Sequence, residues 1–434
     1  MSPSKSIVDN LPLRSHAKRY IALSHCWGGS SINHQTTRAN IEQRRQGFRL
    51  HELPKTFQDA VQVTRNLGID YLWIDSLCII QGPDGDWESE SRRMEQVFTS
   101  AYCTIAATSA SDSTTGFLGN EANDEGLFIR APSGNQLYAS SNIAAFDDDT
   151  SKALLNKRAW VLQERLLSPR TIHFTRSLVY GECGEGVCAG NGITLKSASG
   201  SQNYFAVDPN FPGRLENSGI NATWGFLKSL IEDYSQRGIS VPTDRAVAIS
   251  GLMSRIEAVL PSTIHHGVIK RFLHRTLLWK RSCHSRRIEY PSSLVPSWSW
   301  MSYKGAVNFV EDKFSDLEVI RSLNFDSRIL RATVWELVDA DVRLQDINGN
   351  ASHQQLVDSH GLKKGWISFD EEGEPSRLQY VVVIARHRRL EVDDCRYYVL
   401  FVKLGEATGT YERIGMGKIN EDCLLKETRD GQVF

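Results

Sequence analysis

Three apolar segments alternate with two helix-like segments in the first 110 residues, and this order restricts the fold more than any other feature. The apolar segments "RYIALS" (19–24), "YLWIDSLCII" (71–80) and "YCTIAAT" (102–108) are predicted to be strands. Residues 52–68 have apolar side chains at helical spacing, with proline near the start and glycine at the end, and a second helix is predicted from about Trp87. Strand, helix, strand, helix and strand predict a largely parallel sheet with flanking helices, which is an α/β fold.

The rest of the chain changes in character twice. Residues 157–168 predict a short helix, and residues 170–183 predict a hairpin. After about residue 310, alternating runs such as "YVVVIARH" and "YYVLFVKL" predict a β-rich region. We therefore expect an N-terminal tail, an α/β domain, a mainly helical extension and a β-rich C-terminal region (1–18, 19–190, 191–310 and 311–434).

Composition argues against several classes of protein. The 50 Lys and Arg residues nearly balance the 51 Asp and Glu residues, so we do not expect nucleic acid to be a partner. No apolar stretch approaches the roughly 18 residues of a membrane span, and no secretory signal is recognisable. The eight cysteines are scattered, which predicts reduced thiols. These features predict a cytoplasmic protein without a membrane span.

Polar side chains lie where the first two predicted strands end. In open α/β sheets, ligands bind outside the carboxyl ends of the strands, so this position predicts a site for a small molecule or nucleotide. His25 would act as an acid, a base or a hydrogen-bond donor, and Asp75 would assist it. Further candidates for ligand contact at this edge are Ser24, Cys26, Trp27 and Gly28.

Each of these candidates also has a structural interpretation. Neighbours on an extended strand point to opposite faces, so we do not expect His25 and Cys26 to form a nucleophilic pair. A carboxylate such as Asp75 in an apolar strand is costly unless it is hydrogen-bonded, and it would then organise the loop after the first strand. That loop would simply be held by satisfied hydrogen bonds around Trp27.

A metal site is not expected. Cys183 and Cys188 have a spacing that occurs in metal sites, and His173 is near them in sequence. No second pair of suitable ligands follows, so the pattern does not amount to a metal motif.

Four blocks of the sequence resemble, in order, the fungal heterokaryon incompatibility (HET) domain family. The resemblance covers roughly residues 19–185, and the family is associated with non-self recognition and regulated cell death. Many members carry a long segment before the first strand, where we expect only a short tail. The matching blocks are "YIALSHCWGG" (20–29) and the segments 53–81, 86–117 and 158–183.

The HET domain is in turn similar to TIR domains, which are flavodoxin-like modules that bind and in some cases cleave NAD. In this comparison "WVLQERL" (160–166) resembles the TIR helix that carries a tryptophan and a catalytic glutamate. The resemblance implies a flavodoxin/TIR-like sheet, NAD as a possible cofactor, Glu164 as a catalytic residue and Trp160 as a ligand contact. A carboxylate can stabilise the oxocarbenium-like state through which a glycosidic bond is cleaved.

Three functions from different classes follow from these observations. The first is an incompatibility or cell-death factor that binds or cleaves a nicotinamide nucleotide, as a glycohydrolase-like enzyme. The second is a stand-alone enzyme of secondary metabolism, a cyclase, dehydratase or isomerase that uses His25 and Asp75 in acid–base chemistry. The third is a non-catalytic module that self-associates or binds an incompatibility partner protein. The structural alternative for Glu164 is that it pairs with Arg158, Arg165 or Arg170, or caps a backbone amide.

Overall fold

The chain divides into two compact units in the computed structural model. The first unit comprises Met1–Arg214 with Val247–Leu252, and the second comprises Leu215–Ala246 with Met253–Phe434. The expected N-terminal tail (1–18) and most of residues 191–218 lie outside the described residues. The residues that the structure describes are 19–29, 34–119, 127–130, 136–139, 146–184, 186–190, 194–195, 215, 219–282, 286–291, 295–313, 316–320, 323–326, 329–338, 343–347, 350–371, 378–388 and 396–434.

Four parallel strands form the centre of the sheet in the first unit. They are β1 (Tyr20–Ser24), β2 (Tyr71–Ile74), β3 (Cys103–Ala106) and β4 (Arg170–Phe174). β1 lies between β2 and β3, and β4 pairs with β3, so the spatial order is 2-1-3-4. Antiparallel strands extend the sheet beyond β4, and these are β5 (Val179–Cys183), β6 (Gly186–Ala189) and β7 (Thr194–Leu195). The predicted α/β class with a parallel-rich sheet is therefore confirmed.

Helices connect these strands, and their bounds follow local signals in the sequence. The predicted helix over 52–68 is α2, which follows Pro54 and ends before Gly68, a residue with φ of +67°. Its buried Phe57 and Ala60 pack into the core of the sheet. The helices of the first unit are α1 (Ile41–Arg45), α2 (Lys55–Asn66), α3 (Asp75–Cys78), α4 (Trp87–Ser91), α5 (Met94–Ser100), α6 (Phe146–Ser151) and α7 (Ala159–Leu167).

The predicted strand over 71–80 is wrong in its second half. The strand ends at Ile74, and Asp75 begins the short helix α3. The Asp75 side chain accepts a hydrogen bond from the backbone N–H of Ser76 at 2.7 Å. Such local bonds compete with the strand ladder, which explains why an apolar run is interrupted at this residue.

The second unit contains helices and a ten-stranded, almost entirely antiparallel sheet, as the β-rich prediction for the C-terminal region requires. Successive residues of its central strands, such as Val381 and Val382, point to opposite faces and belong to two different apolar cores. Its α-helices are Ile220–Gln236, Ser250–Val259 and Leu273–Thr276, the second of which begins in the first unit. The strands of the large sheet are Leu317–Val319, Asn324–Asp326, Ile329–Leu337, Arg343–Ile347, Asn350–Val357, Lys363–Phe369, Tyr380–His387, Tyr397–Leu404, Thr410–Ile419 and Leu424–Val433.

Shorter strands form separate two-stranded pairs. The two-residue strands Thr36–Thr37 and Ile80–Gln81 pair in parallel. The antiparallel pairs are Leu127–Arg130 with Gln136–Ala139, Ile264–His265 with Val268–Ile269, and Trp279–Arg281 with Val307–Phe309. Among the described residues, no helix has both the length and the apolar character needed to cross a membrane.

Candidate functional site

The loop after β1 carries four of the predicted site residues and is fixed by the loop after β3. Ser113 donates from its backbone N–H and from its hydroxyl to the carbonyl of Trp27, at 3.3 and 2.9 Å. Gly28 has φ of +74°, and a Cβ at this position would lie 2.4 Å from the Cβ of Asp112. Only glycine fits this combination of backbone conformation and close approach. Because β1 lies between β2 and β3, these loops meet at the point where the strand order reverses.

Asp75 connects the loop after β1 to the start of α3. Its Oδ2 accepts a hydrogen bond from the indole Nε1 of Trp27 at 2.7 Å. Its Oδ1 lies 3.8 Å from Nδ1 of His25, which is beyond hydrogen-bonding distance. Asp75 therefore organises the loop through the Trp27 side chain, while its own side chain remains 18% exposed.

His25 is enclosed, with 4% of its surface exposed. Its ring lies edge-on to Phe57 of α2, with the ring centroids 5.0 Å apart. Neither ring nitrogen has a hydrogen-bond partner among the residues that the structure describes. Burial lowers the pKa of His25 to about 4, although the nearby Asp75 charge opposes this shift. The imidazole is therefore neutral at physiological pH.

Cys26 is directed away from His25, as expected for neighbours on extended backbone. It packs against Ala106, Leu155 and Val161 in a small apolar cluster. Burial raises the pKa of its thiol, so the thiolate is disfavoured. This environment suits a core residue rather than a nucleophile.

Glu164 reaches the end of β1 from α7. The Ser24 hydroxyl donates a hydrogen bond to Oε2 of Glu164, joining residues 140 positions apart in the chain. Glu164 is 7% exposed, and burial raises its pKa to about 7. The hydrogen bond from Ser24 opposes this rise, whereas the charge of Asp75 adds to it. Glu164 thus exchanges its proton near neutral pH, and it does so in the electrostatic field of Asp75.

Arg158, at the N-cap of α7, and Arg165 of α7 bind other groups, so the structure does not show the ion pair considered for Glu164. Arg158 donates to the backbone carbonyl of His25 at 2.6 Å, and Arg165 binds Glu182 through two nitrogens at 2.8 and 3.0 Å. Within the described residues, Glu164 has no ion-pair partner within 4.0 Å. Arg158 is close enough to lower the pKa of Glu164, but less strongly than the Ser24 hydrogen bond does.

Trp160 lies one turn before Glu164 on α7 and is half-buried. Its ring contacts the edge of Trp87 from α4, with centroids 5.3 Å apart. Its aromatic partner among the described residues is therefore Trp87.

Sequence reasoning missed a buried network beside the site. Burial raises the pKa of Glu182, but the charge of Arg165 and the hydrogen bond with His173 together outweigh it and lower the pKa to about 2. His173 Nε2 lies 2.7 Å from Glu182, which assigns this histidine to the network rather than to Cys183 and Cys188. Glu182 is two residues after the buried Tyr180 on β5, so both side chains point to the same buried face of the sheet. This alternation is the sequence signal that could have revealed the buried carboxylate. No group of three metal-ligating side chains occurs within the described ranges.

The site as a whole is a closed polar cluster at the carboxyl edge of β1 and β2. Asp75 lies within electrostatic range of both His25 and Glu164, which come from distant segments. Ser24 hydrogen-bonds to Glu164, and Trp27 hydrogen-bonds to Asp75. His25 and Glu164 are buried, so the partly exposed Trp27 and Asp75 form the side that faces solvent. The first unit is therefore an α/β domain with a candidate ligand site at the carboxyl edge of its parallel-rich sheet.

Residues 20–164 match the sequence model of the family Heterokaryon incompatibility protein (HET). This match confirms the resemblance to the HET domain family for the segment from β1 to Glu164, and it contains all the candidate site residues. No curated protein and no solved structure matches the chain.

Proposed function

We propose that the chain is a heterokaryon incompatibility protein whose first unit binds a nicotinamide nucleotide and hydrolyses its N-glycosidic bond. The observation that carries this proposal is that Asp75, at the carboxyl edge of the sheet, acts electrostatically on the buried Glu164 and lies 3.8 Å from the ring of His25. The strand order 2-1-3-4 supports a flavodoxin/TIR-like arrangement, in which ligands bind where the order reverses.

The reaction needs a stabiliser of positive charge and a proton acceptor. Nicotinamide leaves with the electron pair of the glycosidic bond, positive charge develops on the ribose, and water adds to the ribose carbon. The adding water loses one proton, and a carboxylate with a pKa of about 7 is well suited to accept it. Ser24 would orient Glu164, Asp75 would add negative field, and Trp27 would stack against the planar base.

The test is release of nicotinamide from NAD by the purified full chain, measured by liquid chromatography. Glu164→Gln keeps an oxygen for the Ser24 hydrogen bond but cannot accept a proton, so we expect the rate to fall by about 100-fold or more. Glu182→Gln is the matched control, because it removes another buried carboxylate of the same unit outside the cluster. Its rate per folded molecule, with the folded fraction taken from circular dichroism, should match the wild type. A wild-type protein that releases no nicotinamide, or a Glu164→Gln variant at the wild-type rate, would refute the proposal.

A non-catalytic module is the second candidate, and the burial of His25 and Glu164 favours it. In this case the Ser24–Glu164 bond fastens α7 to β1, and the Trp27–Asp75 bond fastens the loop to α3. Such a module would act through self-association or a partner protein. Sedimentation that changes with protein concentration, together with cell killing that Glu164→Gln leaves intact, would support this candidate over the enzyme.

A further inference from the structure

The hairpin of β5 and β6 carries two cysteines on one side. Tyr180 and Glu182 are buried on β5, so Gly181 and Cys183 point to the opposite side of the sheet. Cys188 is the exposed residue of β6, and because it pairs with Gly181 it lies on the same side as Cys183. Both cysteines are reduced, with Cys183 half-buried and Cys188 exposed. Two thiols from neighbouring strands therefore share one accessible side of the hairpin.

Glycine faces each of these cysteines across the hairpin. Cys183 pairs with Gly186, and Cys188 pairs with Gly181. A Cβ on Gly181 would come no closer to its surroundings than 3.9 Å, the distance to the carbonyl oxygen of Cys188. The two cysteines are diagonal neighbours, whose Cα atoms in antiparallel sheets are about 7–8 Å apart. Because both facing residues lack a side chain, the two sulfur atoms can turn toward a common point.

Two thiols at a diagonal spacing suit a soft cation that needs two ligands. A disulfide fits less well, because its Cα atoms are usually about 4.4–6.8 Å apart. Structural zinc needs four ligands, and the described ranges hold no group of three such side chains. Thiolates select Cu(I), which accepts two of them in a nearly linear arrangement. Two metal–sulfur bonds of about 2.3 Å, the length found with zinc, place the sulfur atoms about 4.5 Å apart, and this diagonal allows that separation.

We propose that Cys183 and Cys188 together bind one Cu(I) ion on this side of the hairpin. Each thiol releases its proton on binding, so the ion and the two thiolates together carry one negative charge. Arg170 of β4 pairs with Cys183 and supplies a positive charge on the same side of the sheet. The site is separate from the Glu164 cluster, so the inference holds whether or not the chain cleaves NAD.

The experiment titrates the reduced full chain with Cu(I), without oxygen, against the coloured Cu(I) chelator bathocuproine disulfonate. The wild type should withdraw one Cu(I) ion per chain from the chelator. Cys183→Ser and Cys188→Ser should each bind Cu(I) at least about 100-fold more weakly, because the gain from holding two ligands in one molecule is lost. Cys78→Ser is the matched control, since it removes a thiol of α3 outside the hairpin, and it should bind as the wild type does.

A further variant tests the geometry while it keeps both thiols. Gly181→Val adds a side chain opposite Cys188 and next to Cys183, so the crowded sulfur atoms should bind Cu(I) about tenfold more weakly. Valine suits a strand, and a Cβ at this position meets no atom closer than 3.9 Å, so the variant should fold. A wild type that withdraws no Cu(I), a loss in Cys78→Ser as large as in Cys188→Ser, or wild-type affinity in Gly181→Val would overturn the proposal.

Discussion

Replacing Glu164 with glutamine should change how the stability of the first unit depends on pH. Burial raises the pKa of Glu164 from its ordinary value of 4.5 to about 7. The folded protein therefore holds this proton more tightly than the unfolded chain does. The contribution of the bound proton to the free energy of unfolding is fully present below pH 4.5, decreases above this pH, and is lost as the pH rises through about 7. Glutamine keeps a hydrogen-bond acceptor for Ser24 and does not titrate, so the variant lacks this loss.

The size of the effect follows from the two pKa values. Each pH unit between 4.5 and 7 removes about 1.4 kcal/mol from the free energy of unfolding, and the whole interval removes about 3 kcal/mol. Glu164 is 7% exposed, so solvent screens little of this penalty. Between pH 5 and pH 8, the stability of Glu164→Gln relative to the wild type should rise by about 2–3 kcal/mol.

The assay must report on the first unit alone. Protein equilibrated in urea at each pH is given a short pulse of deuterium, and peptides from β1, β2 and β3 are followed by mass spectrometry. Glu182→Gln is the control, because the pKa of Glu182 is lowered to about 2 and its stabilisation is lost only as the pH falls below 4.5 toward that value. Its difference from the wild type should stay constant between pH 5 and pH 8. A constant difference for Glu164→Gln as well would refute the reasoning about burial.

Two substitutions and one titration test the loop after β1. Gly28→Ala should destabilise the protein by about 2 kcal/mol or more in thermal denaturation, because of its positive φ and its close contact with the loop after β3. Gly29→Ala, which meets nothing within 4 Å, should have a much smaller effect, and equal losses would contradict this account. Burial lowers the pKa of His25 to about 4, so NMR should show a neutral imidazole down to about pH 5. The contribution of the neutral ring to the free energy of unfolding is present above pH 6.5 and is lost as the pH falls through about 4. Titration of the ring near pH 6.5 would show that it is not enclosed. Trp27→Phe leaves Asp75 Oδ2 without its indole donor and should lower the free energy of unfolding by about 1–3 kcal/mol, measured in urea, whereas an unchanged value would mean that the bond is not formed.

The parts of the fold that the sequence predicts well are those with local signals. Proline before α2 and glycine after it mark both ends of that helix, and short apolar runs mark β1 and β3. The end of β2 was placed too late, because periodicity registers an apolar run but not a side chain that bonds its own backbone at Asp75.

The candidate site was predictable only in outline. Carboxyl ends of parallel strands share one edge, so the sequence placed His25 and Asp75 near each other. It did not reveal that Ser24 binds Glu164, because that contact joins segments 140 residues apart and depends on how α7 packs against the sheet. Nor did it reveal the enclosure of His25, since burial is set by the neighbouring helix that carries Phe57.

The identity of residue 164 bears on the choice between the two candidate functions. A purely structural fastening of α7 to β1 requires only an acceptor for the Ser24 hydroxyl, and glutamine would supply one without losing about 3 kcal/mol above neutral pH. Residues that reduce stability without a structural gain tend to occur at functional sites. If the proposed function holds, a ligand would reach the enclosed Glu164 from the side of Trp27 and Asp75. Opening that side would solvate Glu164 and lower its pKa, so binding would be coupled to release of a proton. A pH-dependent affinity for the nucleotide that disappears in Glu164→Gln would therefore distinguish the enzyme from the structural module.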